Sequence, residues 1–513
     1  MNLDLVNIIL GMKIRQARTH KGLTLTELAE RAELSPSYVT EIEKGRKYPK
    51  ADKIMKMAAV LDTSYDELVS VKLAPALDHL ETVLSSPLLH EFPFAEFGLE
   101  AGDLVNLLTR VPAKASALLH AMLEIGRQHN LKDEHFLRAA LRSYQELHEN
   151  YFPELEEAAI AFSAEYELAG PLPFRLETLQ QTIKAGFGYR LEWEQLAADP
   201  RLAAYRSVLV EQKTTPTLLL NRRLHDNQIK FLLLREMGYR YLELEDRAYT
   251  SAPDEVSSFQ QVLNDFKASY FAGAVLMPRA PMIADLRDFF NLNRWQPGRL
   301  LQLLHEYDVT PEMLLYRFSE LVPQFFDMPL HFLRFHSSAG NRAGEAGAGE
   351  VDRFRLVKQL NMNRLRLPSG SALSEHFCRR WLTVRLLREL QAEANWESLS
   401  EQPLVGAQIS QFHQSGDRFL CLGFARPLVL SPDVGSSVIV GFRVDETLTN
   451  TIRFAADPHL PRAVISGTCE RCPLTPAECQ VRAVPPTILQ HQARQQERQQ
   501  ALQRVRSEIK GAS

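Results

Sequence analysis

The stretch Leu23 to Lys50, LTLTELAERAELSPSYVTEIEKGRKYPK, constrains the fold of this chain more than any other. Thr24 stands where an N-cap satisfies the first amides of a short helix with apolar positions Leu25, Leu28 and Ala29. Ser35-Pro36 then opens a second helix with Val39 and Ile42 facing inward. Small Ala29 lets two helices cross closely, so the stretch predicts two helices and a tight turn. Ser37, Tyr38, Thr40, Glu41 and Lys44 are left pointing outward, the polar set that a helix lying in a DNA major groove offers to base edges. Arg46, Lys47 and Lys50 follow at positions suited to phosphates.

With a helix expected over Gly11 to His20 before it and another over Ala51 to Leu61 after it, this stretch resembles the XRE (Cro/phage-repressor) helix-turn-helix family over roughly the first seventy residues. The resemblance implies contacts to double-stranded operator DNA from Thr24, Ser35, Ser37, Tyr38, Thr40, Glu41, Lys44, Arg46, Lys47 and Lys50. The chain departs from the family at Glu33, where a turn glycine is usual, so a non-glycine residue is expected at positive φ.

Charge supports a local DNA footprint. The whole chain carries a net charge of -4, but residues 11–56 hold eleven Lys/Arg against six Asp/Glu, which gives +5 and leaves the remainder at -9. One basic module with an acidic remainder is the balance expected when only that module meets nucleic acid. So modest a charge implies weak binding by a single copy, hence a homodimer or homotetramer on a two-fold operator. At 513 residues about three or four domains are expected. No apolar run approaches the roughly eighteen residues of a membrane span, and Met1 to Leu10 lacks leader features, so a cytoplasmic bacterial protein with no membrane partner is expected.

Residues 71–155 read as a helical spacer and dimerisation region, with apolar periodicity over Ala76 to Leu84, Gly102 to Thr109, Ala113 to Arg127 and Asp133 to Tyr151. From 156 to 325 helix and strand mix, and Asn227 to Leu242, NQIKFLLLREMGYRYL, is a clear helix. It resembles the active helix of the ImmA/IrrE metallopeptidase family. Arg235 and Tyr239 stand where that family has zinc histidines, and only Glu236 and Gly238 of the pattern survive. Arginine does not lose its proton and cannot be a zinc ligand. The family's third ligand, read against the Phe271-Ala272 and Leu276-Met277-Pro278 string, falls at Lys267. The resemblance therefore implies a degenerate pseudo-peptidase domain and no enzyme. The alternative is an active ImmA/IrrE-type protease that acts as an antirepressor. Leu300 to Phe318 forms a helix pair like the one that ends that domain.

Ser337 to Glu350 is Gly/Ala/Ser-rich and reads as a loop or linker. Beyond it a small α/β sensor domain, residues 326–490 in all, is expected. Its helix spans Glu375 to Glu389, and its strands lie over Pro403 to Phe412, Arg418 to Leu430 and Ser436 to Val444. Residues 491–513 read as a polar tail. The fold class is thus mainly α and multidomain: helix-turn-helix, helical spacer, α+β ImmA/IrrE-like domain and α/β sensor.

Five cysteines in a chain this long make no disulfide framework, and three of them, Cys469, Cys472 and Cys479, form C-x2-C-x6-C. That spacing suits a metal or cluster. The surrounding GTCERCPLTPAECQVRAVPP, with the XRE and ImmA/IrrE-like segments before it, resembles the short-chain fatty acyl-responsive regulators of the PrpR/RamB group. The gap before Cys479 is longer here than in that group. Matching Cys378-Arg379-Arg380-Trp381 to an upstream element of those proteins makes Cys378 the fourth candidate ligand, while Cys421 in an apolar run reads as core. The resemblance implies a [4Fe-4S] cluster, with structural zinc as the alternative. It also implies a short-chain acyl-CoA effector from acetate or propionate metabolism, with Arg426, Arg443 and Arg453 as candidates for its phosphates. A purely redox-sensing regulator is the third possibility.

Overall fold

The computed structural model describes residues 5–70, 96, 133–168, 170, 172–211, 215–251, 256, 258–337, 354–365, 375–393 and 396–511. The helices expected over 76–84, 102–109 and 113–127, and most of the 337–350 linker, lie outside the described residues. The chain divides into two compact units, Met1–Tyr144 with Glu255–Val262, and Gln145–Asp254 with Leu263–Ser513.

The first unit begins with five helices, α1 (Leu5–His20), α2 (Leu25–Arg31), α3 (Pro36–Glu43), α4 (Ala51–Leu61) and α5 (Tyr65–Val69). Thr24 and Glu27 form a reciprocal capping box at α2, and Ser35 caps α3 with Pro36 in its first turn, as the sequence predicts. Leu10, Ile14, Leu28, Ala29, Val39, Ile42, Ile54 and Met57 make one core. Gly11 is required by the approach of α1 to α3, because a Cβ there would lie 2.3 Å from the Ile42 carbonyl oxygen. Arg18 Nε and Nη2 close the same joint on the Glu43 carboxylate at 2.6 and 2.9 Å. Glu33 adopts φ 55°, the left-handed turn expected of it, and its carboxylate accepts from Lys56.

Helix α6 (Asp133–Leu147) follows, then α7 (Pro153–Glu165), α8 (Leu176–Phe187), β1 (Arg190–Glu192), α9 (Gln195–Ala198), β2 (Ser207–Val210) and β3 (Thr217–Leu220). The three strands form a sheet ordered β1-β3-β2. Next come α10 (Asp226–Tyr241), α11 (Phe259–Leu276), α12 (Arg279–Phe290), α13 (Pro297–Tyr307) and α14 (Pro311–Phe326). Helix α10 is buried from Ile229 to Tyr239 apart from Phe231, with Lys230, Arg235 and Glu236 among the buried residues, which puts it in the middle of its domain. At Gly238 a Cβ would stand 2.8 Å from the Phe271 ring, which sets how closely α10 and α11 pack.

The remaining strands, β4 (Leu330–Ser337), β5 (Phe354–Asn361), β6 (Leu404–Phe412), β7 (Arg418–Pro427), β8 (Gly435–Arg443) and β9 (Arg462–Ile465), form a six-stranded sheet ordered β5-β4-β8-β7-β6-β9. All neighbours pair antiparallel except β6 with β9. Helix α15 (Leu382–Ala392) packs on β6, β7 and β8, and α14 packs on β4 and β8. The boundary expected at 325/326 falls at the last residue of α14, just before β4 and within the second unit. The helix expected from Glu375 begins only at Leu382. Phe377 is instead bridged to Thr468, the Cys378 N–H donates to the Gly467 carbonyl at 3.2 Å, and a turn at Arg379-Arg380 leads into the helix. Helix α16 (Glu446–Thr451) and a long exposed helix, α17 (Thr487–Gly511), complete the described chain.

Candidate nucleic-acid interface and ligand cavity

On the recognition helix α3, Val39 and Ile42 point into the core, and Ser37 is exposed. Tyr38 is half-buried, its ring packed on the core and covered by the Lys47 ammonium at 4.9 Å. Thr40 Oγ1 donates to the Pro36 carbonyl at 2.8 Å, and Glu41 pairs with Arg46 at 3.3 Å. Thr24 and Ser35 spend their hydroxyls on caps: Thr24 Oγ1 both donates to Glu27 and accepts its N–H, and Ser35 Oγ accepts the Tyr38 N–H at 3.3 Å. Ser37, Lys44, Lys47 and Lys50 are the candidate contacts with the least internal commitment. The positive ends of α2 and α3 add to the attraction for phosphate.

In the second unit a cavity of about 370 Å³ opens between α10, α11, α14, β4 and the end of β7. Phe231, Leu232, Met277, Met313, Phe332 and Leu428 give it apolar walls. Six cationic side chains, Arg206, Arg235, Arg317, Arg334, Arg426 and Lys358, face three carboxylates, Asp265, Glu312 and Glu320. Glu312 serves two of them, accepting from Arg426 Nη2 at 2.7 Å and lying 3.7 Å from Arg334. Burial works against its charge, yet the two guanidiniums hold its carboxyl far below the usual range. Arg206 makes no ion pair among the described residues. It is solvent-exposed at the rim of the cavity, with Arg334, Arg426 and Arg235 nearby. An unpaired guanidinium beside two others is available to an anion.

The structure separates the three arginines that the sequence puts forward together. Arg426 lies in this cavity. Arg443 is bonded to Asp417 at 2.6 Å beside a different hollow, which Arg364 also lines. Since Arg426 pairs with Ser436 and Arg443 with Phe419, they stand at opposite ends of the β7/β8 ladder, roughly 23 Å apart by strand rise. Arg453 is exposed on a single 3-10 turn, Arg453–Ala456. Sequence reasoning missed Arg206, Arg235, Arg317, Arg334 and Lys358 as one cluster. The available signal was a cation set in otherwise apolar runs, LLLRE, LLYRF and HFLRF.

Arg235 and Tyr239 stand one turn apart on α10, and the carboxylate of Asp265 on α11 accepts from both, from the Tyr239 hydroxyl at 2.9 Å. The acidic residue meeting the two positions is therefore Asp265, two residues before the Lys267 named from sequence. Arg235 keeps its charge: burial opposes it, but Asp265 more than compensates. Glu236 turns the other way, both oxygens held by Arg247 Nη2 at 2.7 and 2.8 Å, with that guanidinium 3.9 Å from the Tyr239 ring centre. An ion pair and a phenol thus occupy the place of two imidazoles.

The four candidate cysteines gather where the 375–378 segment meets the loop after β9. Cys378, Cys469, Cys472 and Cys479 are all buried. Cys472 and Cys479 share one apolar cluster with Leu474, while Cys469 and Cys472 act electrostatically on Cys378. Burial pushes the Cys378 thiol up to about 11, opposed by N–H groups of Ser466 and Arg380 aimed at its sulfur. Cys469 is raised likewise, with the Ala483 N–H 3.5 Å from Sγ. Amides directed at sulfur suit thiolates better than thiols, as does a buried Arg482 Nε with no acceptor in the same loop. Among the described residues no three His, Cys, Asp or Glu side chains stand in the arrangement of a closed metal site. Cys421 is core, buried in β7.

The helix-turn-helix family pattern matches residues 14–68, and that of the IrrE N-terminal-like domain matches residues 196–319. The HTH-type transcriptional regulators SinR of Bacillus licheniformis and of Bacillus subtilis (strain 168) are each 38% identical to this chain over 65 residues, which are 12% of this chain. The chain spans 59% of the length of these curated relatives. A Mycobacterium tuberculosis transcriptional regulator of solved structure aligns at 16% identity and a TM-score of 0.45, over 67% of this chain and 92% of that one. Among the described residues no helix is long and apolar enough to cross a membrane. The chain therefore carries a helix-turn-helix domain at residues 14–68 and an IrrE N-terminal-like domain at residues 196–319.

Proposed function

We propose that this protein is a cytoplasmic DNA-binding transcriptional regulator whose helix-turn-helix heads, paired in a homodimer or homotetramer, grip an operator with an affinity set by a small anionic metabolite in the second unit. The observation that carries the reading is a cavity in which Arg334 and Arg426 share one carboxylate, Glu312, while Arg206 at the rim makes no ion pair among the described residues and Phe231, Met277 and Phe332 supply apolar wall. Such a site suits a ligand with a phosphate or carboxylate at one end and a short apolar arm. A short-chain acyl-CoA is the member of that class favoured by the likeness of the cysteine loop to the short-chain fatty acyl-responsive regulators. At about 370 Å³ the cavity is small for a ligand site, so the nucleotide of a coenzyme A ester would extend through its mouth.

The IrrE-like domain acts here as a binding frame and not as a peptidase, a reading supported by the Arg235–Asp265 pair and by the sequestered Glu236. Cys378, Cys469, Cys472 and Cys479 would hold a [4Fe-4S] cluster, or zinc in its place. A cluster, when bound, supplies one-electron redox chemistry and cross-links the loop. The deciding experiment titrates a promoter fragment with the full chain by fluorescence anisotropy, with and without propionyl-CoA or acetyl-CoA, anaerobically and after air exposure. The expected result is an operator affinity shifted several-fold by the thioester and a smaller shift in Arg206→Glu. A shift with air alone favours the redox reading. No preference for any promoter fragment over random duplex sinks the proposal.

A further inference from the structure

Arg317 reaches the cavity wall from α14, and two carboxylates share it. Its Nη1 donates to Glu156 Oε1 at 2.6 Å and to Glu320 Oε2 at 2.8 Å, Nη2 donates to Glu156 Oε2 at 2.9 Å, and Nε to the Met277 carbonyl at 3.1 Å. None of the three side chains is more than 2% exposed. The groups facing the cluster from other elements are Tyr270 of α11, whose hydroxyl donates to Glu156 at 2.8 Å, Lys358 of β5, and Arg279 of α12, which acts on Glu156. Tyr316 on α14 adds a neutral phenol, with the Lys358 ammonium 3.7 Å over its ring.

Two buried carboxylates share one directly bonded guanidinium, with Lys358 and Arg279 acting only from further off, a costly arrangement in a dry interior that a single proton relieves. Burial drives the Glu320 carboxyl up to about 7 against the pull of Arg317, with Glu156 adding to the rise. Glu320 also lines the cavity, so an anion arriving there brings a second negative charge beside it. We propose that the cavity takes up its anionic ligand together with a proton, which settles on Glu320, so that occupancy depends on acidity. The step is one addition: a solvent proton joins the Glu320 carboxylate at Oε1, the oxygen that Arg317 does not engage, and no other bond forms or breaks. The inference rests on the anion-binding reading of the cavity.

Isothermal titration of the full chain with propionyl-CoA at pH 7.5, in HEPES and in Tris, counts the protons exchanged, because the two buffers differ in ionisation heat. The expected result is net proton uptake on binding, with affinity falling by up to about tenfold per pH unit above pH 7. The Glu320→Gln variant should bind with neither uptake nor slope. Wild-type binding without proton exchange, or exchange that persists in Glu320→Gln, overturns the proposal. Should Glu320→Gln fail to fold, the wild-type proton count still decides. If neither propionyl-CoA nor inorganic pyrophosphate binds, the cavity reading falls and this inference with it, whereas binding without a proton removes this inference alone.

Discussion

Glu33 holds a left-handed turn that a side chain resists, and its carboxylate is compensated by an exposed ion pair with Lys56. A left-handed non-glycine residue costs about 1–2 kcal/mol, while an exposed pair returns under about 1 kcal/mol. Glu33→Gly should therefore stabilise the first unit by about 1 kcal/mol, visible as a higher midpoint of thermal unfolding. An unchanged or lower midpoint would mean that the Lys56 contact outweighs the strain. This strain was legible in the sequence, because the position in the turn was fixed by the helices on either side. The cavity arginines were not: Arg317, Arg235 and Arg334 are spread over about a hundred residues, and nothing local says that they converge.

At the scale of elements, the proposed operator contacts divide between α3 and the segment after it. Ser37 on the helix and Lys44 at its C-cap present polar atoms, whereas Lys47 and Lys50 lie further beyond its end, as backbone contacts do. Lys47→Ala and Lys50→Ala should each weaken operator and random DNA about equally and lower the slope of log affinity against log salt by about one. Ser37→Ala should reduce discrimination between sequences and leave that slope in place. Binding isotherms at several salt concentrations separate the two classes, and a slope unmoved by either lysine would take these residues off the phosphates. Helix α10 was equally legible as an element, since Phe231, Leu234 and Met237 share its spacing. Its partner was not, for whether Lys267 or Asp265 of α11 meets Arg235 depends on the rotation of one helix against another.

For the whole molecule the buried titratable groups set how the second unit responds to pH. Glu320 has its folded value raised from 4.5 to about 7, so its contribution to stability is fully present below pH 4.5 and is lost as pH rises through 7. Wild type should thus exceed Glu320→Gln in stability by roughly 3 kcal/mol more at pH 4.5 than at pH 8, measured by denaturant unfolding at each pH. A constant difference would show that Glu320 titrates normally. His331, buried and lowered to about 4, has the opposite sign: its contribution is present above pH 6.5 and is lost as pH falls through 4. By itself the sequence determined the local matters: the caps at Thr24 and Ser35, the strained turn, the mixed multidomain fold class and the placing of Arg235 and Tyr239 one turn apart on α10, because each follows from residues a few positions apart. Only the tertiary structure decided that Arg206, Arg317, Arg334 and Arg426 share a cavity while Arg443 and Arg453 do not, and that Glu320 shares Arg317 with Glu156. Burial and charge pairing are sums over elements distant in the chain, and no local pattern carries them.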